Sequence, residues 1–360
     1  MNNVLLTVSG SIDPDVEAKI ARGERPETDY ITMAREFPAD LLDYAEAHRR
    51  AGKFGRLLAK IGGPNLVLAW VCYTLRRRYR VIFTDGEQVG LPLALLLKFA
   101  SFGQRPRHLM IVHILSVGKK MIFLDWLRLQ SHIDVFFVYA TWQKQFIEQR
   151  WHVPGDRVVL TPFMVDDAFF APDQAGRIED LLGLNGQDRP IICAVGLEFR
   201  DYPTLMQAVR GLHVQVVVAA GSPWSKRADT TADQEIPDNV LVRRFTQFEL
   251  RELYAQSAFL VMPLFNVNFQ AGVTALLEAM AMGKAVICSR TPGQTDVVVE
   301  GETGVYVPPE DAAALRAAIE QLLQQPEEAR RLGENGRRRI IAHMNLAHYT
   351  RRLSAYLIEY

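Results

Sequence analysis

The sequence has few cysteines and no excess of charge of either sign. Its three cysteines, Cys72, Cys193 and Cys288, lie far apart and form no Cys-x-x-Cys pair. This spacing argues against a disulfide framework and against a zinc site, and it favours a reduced compartment. Lys plus Arg and Asp plus Glu number 41 each. Because no global field attracts a polyanion, we do not expect a nucleic-acid partner.

Long hydrophobic runs are also missing. The longest runs, residues 64–75 and 90–102, are shorter than the roughly 20 residues that a membrane-spanning helix needs. The first residues, MNNVLLTVSGSIDPD, lack the basic flank and the long apolar core of a signal peptide. We therefore expect a cytoplasmic protein.

Basic residues surround the first of these runs. KFGRLLAKIGG at 53–63 precedes it, and RRRYR at 76–80 follows it. Together they could form a basic amphipathic surface that makes peripheral contact with the inner face of the membrane. An ordinary solvated surface is the alternative, because short Arg clusters are common at helix ends.

Short β-branched and aromatic runs alternate with helical patterns along the chain, which is typical of βαβ units and parallel sheets. A first set of runs lies at 4–8, 81–85, 108–113 and 135–140, and a second set lies at 191–196, 215–221, 240–245, 258–264 and 285–290. Their near-continuous hydrophobicity suits strands that are covered on both faces. The pattern predicts an α/β protein with two Rossmann-like, doubly wound parallel-sheet domains that face a cleft.

A single charge interrupts the apolar stretch NFQAGVTALLEAMAMGK, residues 268–284. Glu278 is the only charged residue before Lys284 in this stretch, and burial of an unpaired carboxylate is costly. It lies one helical turn beyond Thr274, so an ionised carboxylate could reach the cleft and accept hydrogen bonds from the diol of a ribose. The alternative is a helix residue that is exposed at its edge or paired with a distant Arg.

The same stretch predicts a loop followed by a helix that Gly283 ends in the left-handed conformation. The helix would begin near Gly272, Val273 and Thr274, whose backbone N–H groups have no partner within it. With the helix dipole behind them, these groups would accept an anion such as phosphate.

The residues downstream extend this pattern. MGKAVICSRTPGQTDVVVEGETGVYVPP gives a strand, a Gly-containing turn, and a Gly-x-Thr-Gly turn into a final strand. From Gly272 to Pro309 the chain resembles glycosyltransferase family 4, retaining enzymes of the GT-B fold. Their signature is Glu, seven residues, and then Glu-Ala-Met-Ala-x-Gly-x-Pro-Val-Ile.

The resemblance implies transfer of a sugar from a nucleotide diphosphate sugar to a hydroxyl of a saccharide or lipid-linked acceptor, without a cofactor. It also implies two domains with separate roles. Residues 1–165, joined by a C-terminal crossover helix at 343–360, would form the acceptor-side domain. Residues 166–342 would form the donor domain.

The family's catalytic and donor-binding positions map onto a few residues. Glu278 takes the place of the Glu that holds the ribose, and Gln270 replaces the Glu that touches the donor sugar. Arg200 is the one cation where the family has a Gly-Arg pair and a nearby Lys to neutralise the diphosphate, since Leu197 stands where that Arg is found. His113 ends a first-domain strand where the family often has a His beside the donor sugar.

The other expectations for the site follow from strand ends at the cleft. Lys119 and Lys120 could contribute to the phosphate contact. Asp85 and Glu87 could bind acceptor hydroxyls or accept a proton. The remaining donor-side positions are Gly10, Gly196, Ser222, Phe245, Thr246, Ala271, Gly272, Val273 and Thr274.

No Asp-x-Asp stands at a strand end in the cleft to hold a divalent ion, so we expect transfer without a metal. Two alternatives stay open. A sugar nucleotide epimerase of the GT-B fold would need acid and base carboxylates, for which Asp85 and Glu87 are candidates. A non-catalytic sugar-nucleotide-binding protein is suggested by the missing Glu and Lys.

Overall fold

The computed structural model describes residues 3–100, 103, 105–176, 178, 181–183, 188–220 and 236–358. The chain divides into two compact units. The first comprises Met1–Ala18, Thr28–Thr161 and Tyr349–Tyr360, and the second comprises Lys19–Glu27 and Pro162–His348. Compared with the predicted division at 165 and 343, the boundaries shift by a few residues, and the segment Lys19–Glu27 belongs to the second unit.

The first unit contains a six-stranded parallel sheet. Its strands are β1 (Val4–Thr7), β2 (Ala39–Leu42), β3 (Val81–Thr84), β4 (Arg107–Val112), β5 (Val135–Val138) and β6 (Val158–Leu160). They lie in the order β2-β1-β3-β4-β5-β6. The register places Val4 beside Ala39 on one side and beside Val81 on the other.

Helices connect the strands of this sheet. They are α1 (Val16–Ala21), α2 (Asp29–Glu36), α3 (Tyr44–Arg50), α4 (Gly52–Leu75), α5 (Glu87–Phe99), α6 (Gly118–Asp125) and α7 (Thr141–Trp151). Helix α4 is bent at Gly63, whose φ of +68° is not helical and which precedes Pro64. A proline removes a backbone donor and clashes with the preceding turn, which explains why the bend falls here.

The second unit has its own six-stranded parallel sheet. The strands are β7 (Ile191–Val195), β8 (Gln215–Ala219), β9 (Val240–Arg243), β10 (Phe259–Met262), β11 (Ala285–Ser289) and β12 (Gly304–Val307), in the order β12-β11-β10-β7-β8-β9. The helices are α8 (Tyr202–Val209), α9 (Gln247–Gln256), α10 (Val273–Ala281), α11 (Ala312–Gln324) and α12 (Pro326–His343). The last helix of the chain, α13 (Leu346–Ile358), lies mostly in the first unit.

Both faces of the second sheet are covered, as the continuous apolar runs predict. Cys193 and Val195 of β7 belong to one hydrophobic cluster, while Ile192 and Ala194 belong to another. Successive side chains of a strand point to opposite faces, so each face has its own core. The predicted fold class, α/β with two Rossmann-like parallel-sheet domains, is confirmed.

Strand β2 was not predicted from the sequence. It is a four-residue edge strand and only Leu42 in it is buried, so its sequence lacks the apolar run that marks the central strands. No helix within the described residues is long and apolar enough to cross a membrane.

Helix α12 packs against the turn that follows α10, and Gly333 lies at the contact. A methyl group at Gly333 would overlap the carbonyl group of Gly283, whereas one at Gly336 would lie 3.4 Å or more from its nearest neighbours in Met280. The two glycines are both buried in the same helix. They therefore form a matched pair for measuring how closely this helix approaches the turn.

We predict that Gly333→Ala lowers the free energy of unfolding by about 1–3 kcal/mol, because a backbone carbonyl cannot move aside cheaply. Gly336→Ala should be neutral or stabilising by up to about 1 kcal/mol, because Ala is the better helix former. Urea unfolding followed by circular dichroism measures both. Equal midpoints for the two variants would show that the contact at Gly333 is not this close.

Candidate functional site

The predicted donor-side residues of the second unit lie around the N-terminus of α10. Gly272 precedes this helix with a φ of +77°, in the left-handed region. The first hydrogen bond of the helix runs from the Leu276 N–H to the Gly272 carbonyl, at 3.2 Å. The amides of residues 273–275 therefore have no partner within the helix and form the positive end of its dipole.

A neighbouring turn holds the loop that leads into α10. Gln294, after β11, donates a side-chain hydrogen bond to the Ala271 carbonyl. Gly293 lies so close to Phe269 that a methyl group there would overlap the Phe269 backbone. Within the loop itself, the Ala271 N–H donates to the Phe269 carbonyl at 2.8 Å. The position of the α10 N-terminus thus depends on the turn after β11.

Arg200 is buried, with 5% of its surface exposed. Its Nε donates to the Val195 carbonyl at 2.9 Å, and its Nη1 donates to the Glu198 carbonyl at 2.7 Å. Burial lowers the pKa of this guanidinium below its usual range. Among the described residues, no carboxylate forms an ion pair with it. The hydrogen bonds of Arg200 in this part of the structure go to backbone carbonyls, and the Glu198 carboxylate acts on it only at longer range.

Two glycines bring the Arg200 guanidinium to the start of α10. Its Nη2 would lie 2.8 Å from a methyl group placed on Gly272, and still closer to one placed on Gly196. Both glycines also have positive φ, +100° at Gly196 and +77° at Gly272, which disfavours other residues. The guanidinium and the free amides of α10 are therefore next to each other, and both favour an anion.

Glu278 lies inside the second unit, with 7% of its surface exposed. The hydroxyl of Tyr254, a fully buried residue of α9, donates to its Oε2 at 2.8 Å. Burial raises the pKa of Glu278 to about 7, although the Tyr254 hydrogen bond opposes the shift. In the described part of the chain Glu278 is neither exposed nor paired with an Arg, so the sequence-based alternative is not what the structure shows.

Three other residues were predicted on the donor side, namely Ser222, Phe245 and Thr246. Ser222 lies outside the described residues. Phe245 is half-buried beneath the Arg243 guanidinium, at 5.0 Å from the ring centre. Thr246 caps α9: its hydroxyl accepts the Glu249 N–H at 3.2 Å, and the Glu249 carboxylate accepts the Thr246 N–H at 2.8 Å. The capping box thus uses the backbone N–H and the side-chain oxygen of Thr246.

Gln270 is half-buried in the loop before α10. The residue before it, Phe269, packs edge-to-face on Phe199 with ring centres 4.9 Å apart. Thr274 is exposed, and Leu197, which stands where the resembling family has Arg, is half-buried. Gln270 thus lies just before the N-terminal amides of α10, and Thr274 lies in the first turn of this helix.

In the first unit, Asp85 joins the ends of β1 and β3. Its Oδ1 accepts hydrogen bonds from the hydroxyls of Thr7 at 2.6 Å and Ser9 at 2.9 Å, and its Oδ2 accepts one from the Ser9 amide. Burial raises the pKa of Asp85, although these hydrogen bonds oppose the shift. The adjacent Gly10 carbonyl accepts the N–H of Tyr44 at 2.9 Å. These contacts hold the loop that contains Ser9 and Gly10.

Glu87 and Lys120 neutralise each other. The Glu87 carboxylate is buried and accepts the Lys120 ammonium at 2.6 Å, the His113 amide at 2.8 Å and the Ile114 amide at 3.1 Å. Burial alone would raise the pKa of Glu87, but His113, Lys120 and these hydrogen bonds lower it. The acceptor contact predicted for Glu87 and the phosphate contact predicted for Lys120 stay predictions, and each of the two side chains already has the other as a partner. Lys119 is exposed.

His113 follows β4 and is exposed. Its Nε2 lies 2.9 Å from the Asp85 carbonyl, which can only accept, so Nε2 carries a proton. The ring packs against Tyr139 with centres 5.7 Å apart. Nδ1 is then the ring nitrogen that a bound ligand could use as an acceptor.

Sequence reasoning missed two residues of these sites. Asp29, at the start of α2, interacts electrostatically with Asp85 and His113, and burial raises its pKa to about 6. Tyr254 is the partner of Glu278. Neither residue follows a strand or belongs to a motif, so the sequence contains no signal for them. Within the described residues, no group of three His, Cys, Asp or Glu side chains could hold a metal ion.

One protein-family model matches residues within the second unit. Residues 186–339 match the family model described as glycosyl transferases group 1. Alpha-maltose-1-phosphate synthase of Mycolicibacterium smegmatis is 28% identical over 214 residues, 54% of this chain and 54% of that protein. Alpha-D-kanosaminyltransferase of Streptomyces kanamyceticus is 25% identical over 199 residues, 52% of this chain and 51% of that protein. The chain spans about half the length of these curated relatives.

Similarity of structure extends further than similarity of sequence. Sucrose-phosphate synthase from Thermosynechococcus elongatus has a TM-score of 0.72 at 20% identity, covering 99% of this chain and 98% of that one. HepE of Anabaena in complex with UDP-glucose has a TM-score of 0.71 at 10% identity, covering 99% of each chain. In fold the chain is thus similar to GT-B glycosyltransferases over nearly its full length, and in sequence its residues 186–339 match the glycosyl transferases of group 1.

Proposed function

We propose that this chain is a retaining, metal-independent glycosyltransferase of family 4, located in the cytoplasm. It would move a sugar from a nucleoside diphosphate sugar to a hydroxyl of a saccharide or lipid-linked acceptor. The observation that carries the proposal is the buried Arg200 guanidinium at the N-terminus of α10, without a carboxylate partner among the described residues. A buried charge is costly unless it is paired, and a diphosphate would supply the missing negative charge.

The curated relatives support sugar transfer, and one structural neighbour supports the same class of donor. The relatives named above are a synthase of alpha-maltose-1-phosphate and a kanosaminyltransferase, and HepE was solved with UDP-glucose bound. For this chain, the anion site at α10 would hold the diphosphate. Glu278, one turn further along the same helix, would accept the hydroxyls of the ribose, because an ionised carboxylate accepts two hydrogen bonds.

The reaction then needs little from the protein beyond positioning and charge. The bond between the anomeric carbon and the β-phosphate oxygen breaks, and a bond from the acceptor oxygen to the same carbon forms on the same face. The acceptor proton passes to the departing phosphate. Arg200 and the amides of α10 would stabilise the charge that develops on that phosphate.

Two further residues would contact the donor sugar. Gln270 replaces a carboxylate of the resembling family and keeps both a donor and an acceptor in its side chain. His113 would use Nδ1, since Nε2–H is committed to the Asp85 carbonyl. Both contacts would position the sugar, and neither residue needs to change its protonation for the transfer.

We predict that Arg200→Met weakens binding of the preferred nucleoside diphosphate by roughly ten-fold to a hundred-fold, the range for hydrogen bonds to charged groups. Calorimetry with UDP, GDP, ADP and dTDP measures the affinity and identifies the base. The melting temperature without ligand should stay equal or rise, because Met removes an unpaired buried charge. Loss of the fold together with affinity would instead make Arg200 a structural residue.

Arg339→Met is the matched control for this variant. Its guanidinium also donates to two backbone carbonyls, Val297 at 3.2 Å and Asp296 at 3.0 Å. It should leave nucleotide affinity unchanged. Equal losses in the two variants would contradict a specific role for Arg200.

The titration of Glu278 generates a second prediction. With a pKa of about 7, the ionised fraction falls from about nine-tenths to about one-tenth between pH 8 and pH 6. As the pH is lowered from 8 to 6, the nucleotide affinity of the wild type should therefore fall by up to about ten-fold more than that of Glu278→Gln. The Gln variant corrects for titration of the nucleotide phosphate. If affinity depends on pH in the same way in both proteins, Glu278 does not bind the ribose.

Two further measurements separate ligand binding from stability. Tyr254→Phe removes the hydroxyl group that donates to the ionised Glu278 carboxylate and favours it. The midpoint of the pH dependence of nucleotide affinity should therefore lie at higher pH in this variant than in the wild type.

Without ligand, the raised pKa of Glu278 means that the folded state holds its proton up to higher pH. The stability of the wild type relative to Glu278→Gln should therefore fall as pH rises from about 4.5 to about 7.

Transfer itself is tested in excess EDTA. We predict that a panel of nucleotide sugars and hydroxyl acceptors yields a glycoside with the donor's anomeric configuration, at nearly the same rate with and without the chelator. The physical reason is that a guanidinium and helix amides already face the diphosphate. Rescue of an EDTA-inhibited enzyme by Mg²⁺ would contradict metal independence, and binding without turnover would favour a non-catalytic protein.

A further inference from the structure

The first segment of α4 has large apolar side chains that are more than half exposed. This segment, residues 52–62, ends at the bend at Gly63. Phe54, Leu57 and Ile61 have 53%, 52% and 73% of their surfaces exposed. Exposed Leu and Phe residues are ordinary when they are single, but three on one short helix need an explanation.

The spacing places these three side chains on one face. Positions i, i+3 and i+7 of an α-helix lie together, and the buried side of the segment is a different one. Every residue of the segment is described, and of these only Gly55 is buried, close to Trp70. The helix therefore attaches through Gly55 and through the edge of the apolar face at Phe54, whose ring packs on Trp70 with centres 4.8 Å apart. More than half of the surface of Phe54, Leu57 and Ile61 stays exposed.

A row of exposed cations runs beside the apolar face. Lys53, Arg56 and Lys60 repeat the same spacing one residue earlier, and all three are exposed. Helix α4 contains no Asp or Glu that could offset these cations. The chain as a whole has no net charge, so the unbalanced charge of these three cations is a local feature of this helix.

We propose that the first segment of α4 docks on the surface of an anionic phospholipid bilayer. Phe54, Leu57 and Ile61 would enter the boundary between headgroups and acyl chains, while Lys53, Arg56 and Lys60 contact the phosphates. A nucleic acid would be attracted by the same charge, but it offers no apolar phase for three aliphatic and aromatic side chains at helical spacing. The inference does not depend on the proposed sugar transfer.

The second basic stretch considered from the sequence, residues 76–80, is not needed for this docking. Arg76 lies over the Tyr73 ring at 4.0 Å and donates to the Tyr73 carbonyl at 2.9 Å. This stretch follows the C-terminus of α4, whereas the proposed surface lies before its bend. Arg76 is thus committed to its own helix end.

The test is flotation of the full chain with vesicles of phosphatidylcholine alone, or with about 30% phosphatidylglycerol. The wild type should float with the anionic vesicles only, and less so at high salt, because salt screens the attraction. Lys53→Glu/Lys60→Glu and Leu57→Ser/Ile61→Ser should each reduce the bound fraction at limiting lipid by roughly ten-fold or more. Circular dichroism establishes that each variant is folded.

Matched controls come from the second unit. Arg330→Glu/Arg338→Glu changes the net charge as much as the Lys double variant does, and both positions are exposed. Ile341→Ser changes an apolar side chain that is 44% exposed. Both controls should float like the wild type.

Several outcomes would overturn the proposal. They are absence of flotation with anionic vesicles, equal losses in the controls, and binding that is indifferent to Leu57→Ser/Ile61→Ser. The last result, together with retention on an RNA column that is lost in the Lys double variant, would assign the surface to a polyanion instead of a bilayer.

Discussion

A buried cation without a buried carboxylate partner is the constraint on which the second unit depends. Arg200 is held by two backbone carbonyls, and its guanidinium needs the space that Gly196 and Gly272 leave free. Carbonyl dipoles orient a guanidinium but do not neutralise it. The N-terminus of α10 adds further positive potential at the same place. In the described part of the unit no ion pair neutralises this charge, and under the proposed function a bound anion would do so, which would link the packing of the loops after β7 and β10 to ligand binding.

The first unit shows the opposite arrangement. Its buried carboxylate, Glu87, has a full set of partners in Lys120 and two backbone amides. Such a pair stabilises a loop and leaves little for a ligand to gain. Asp85 is likewise occupied by Thr7 and Ser9. The buried Glu87 of the first unit is thus satisfied internally, whereas the buried Arg200 of the second unit has no carboxylate partner among the described residues.

The sequence predicted best what depends on a single segment. Strands β7, β8, β10 and β11 are covered on both faces, so their apolar runs were recognisable, while the half-buried edge strand β2 was not. Glu278 stood out because it is the only charge in an apolar helix. Its partner Tyr254 could not be predicted, because packing between α9 and α10 determines their contact and no local pattern records it. The pairing of Glu87 with Lys120 escaped prediction for the same reason.

The space around Arg200 has a consequence for how this protein can vary among related sequences. A side chain at Gly196 or Gly272 would overlap the guanidinium, and one at Gly272 would also overlap Met262 Sδ, so a shorter residue at position 200 would remove the first overlap only. The three positions are therefore coupled through excluded volume, and we expect them to be kept or replaced together. A relative that has lost the arginine would be free to carry side chains at both glycine positions only if it also relaxed their left-handed backbone.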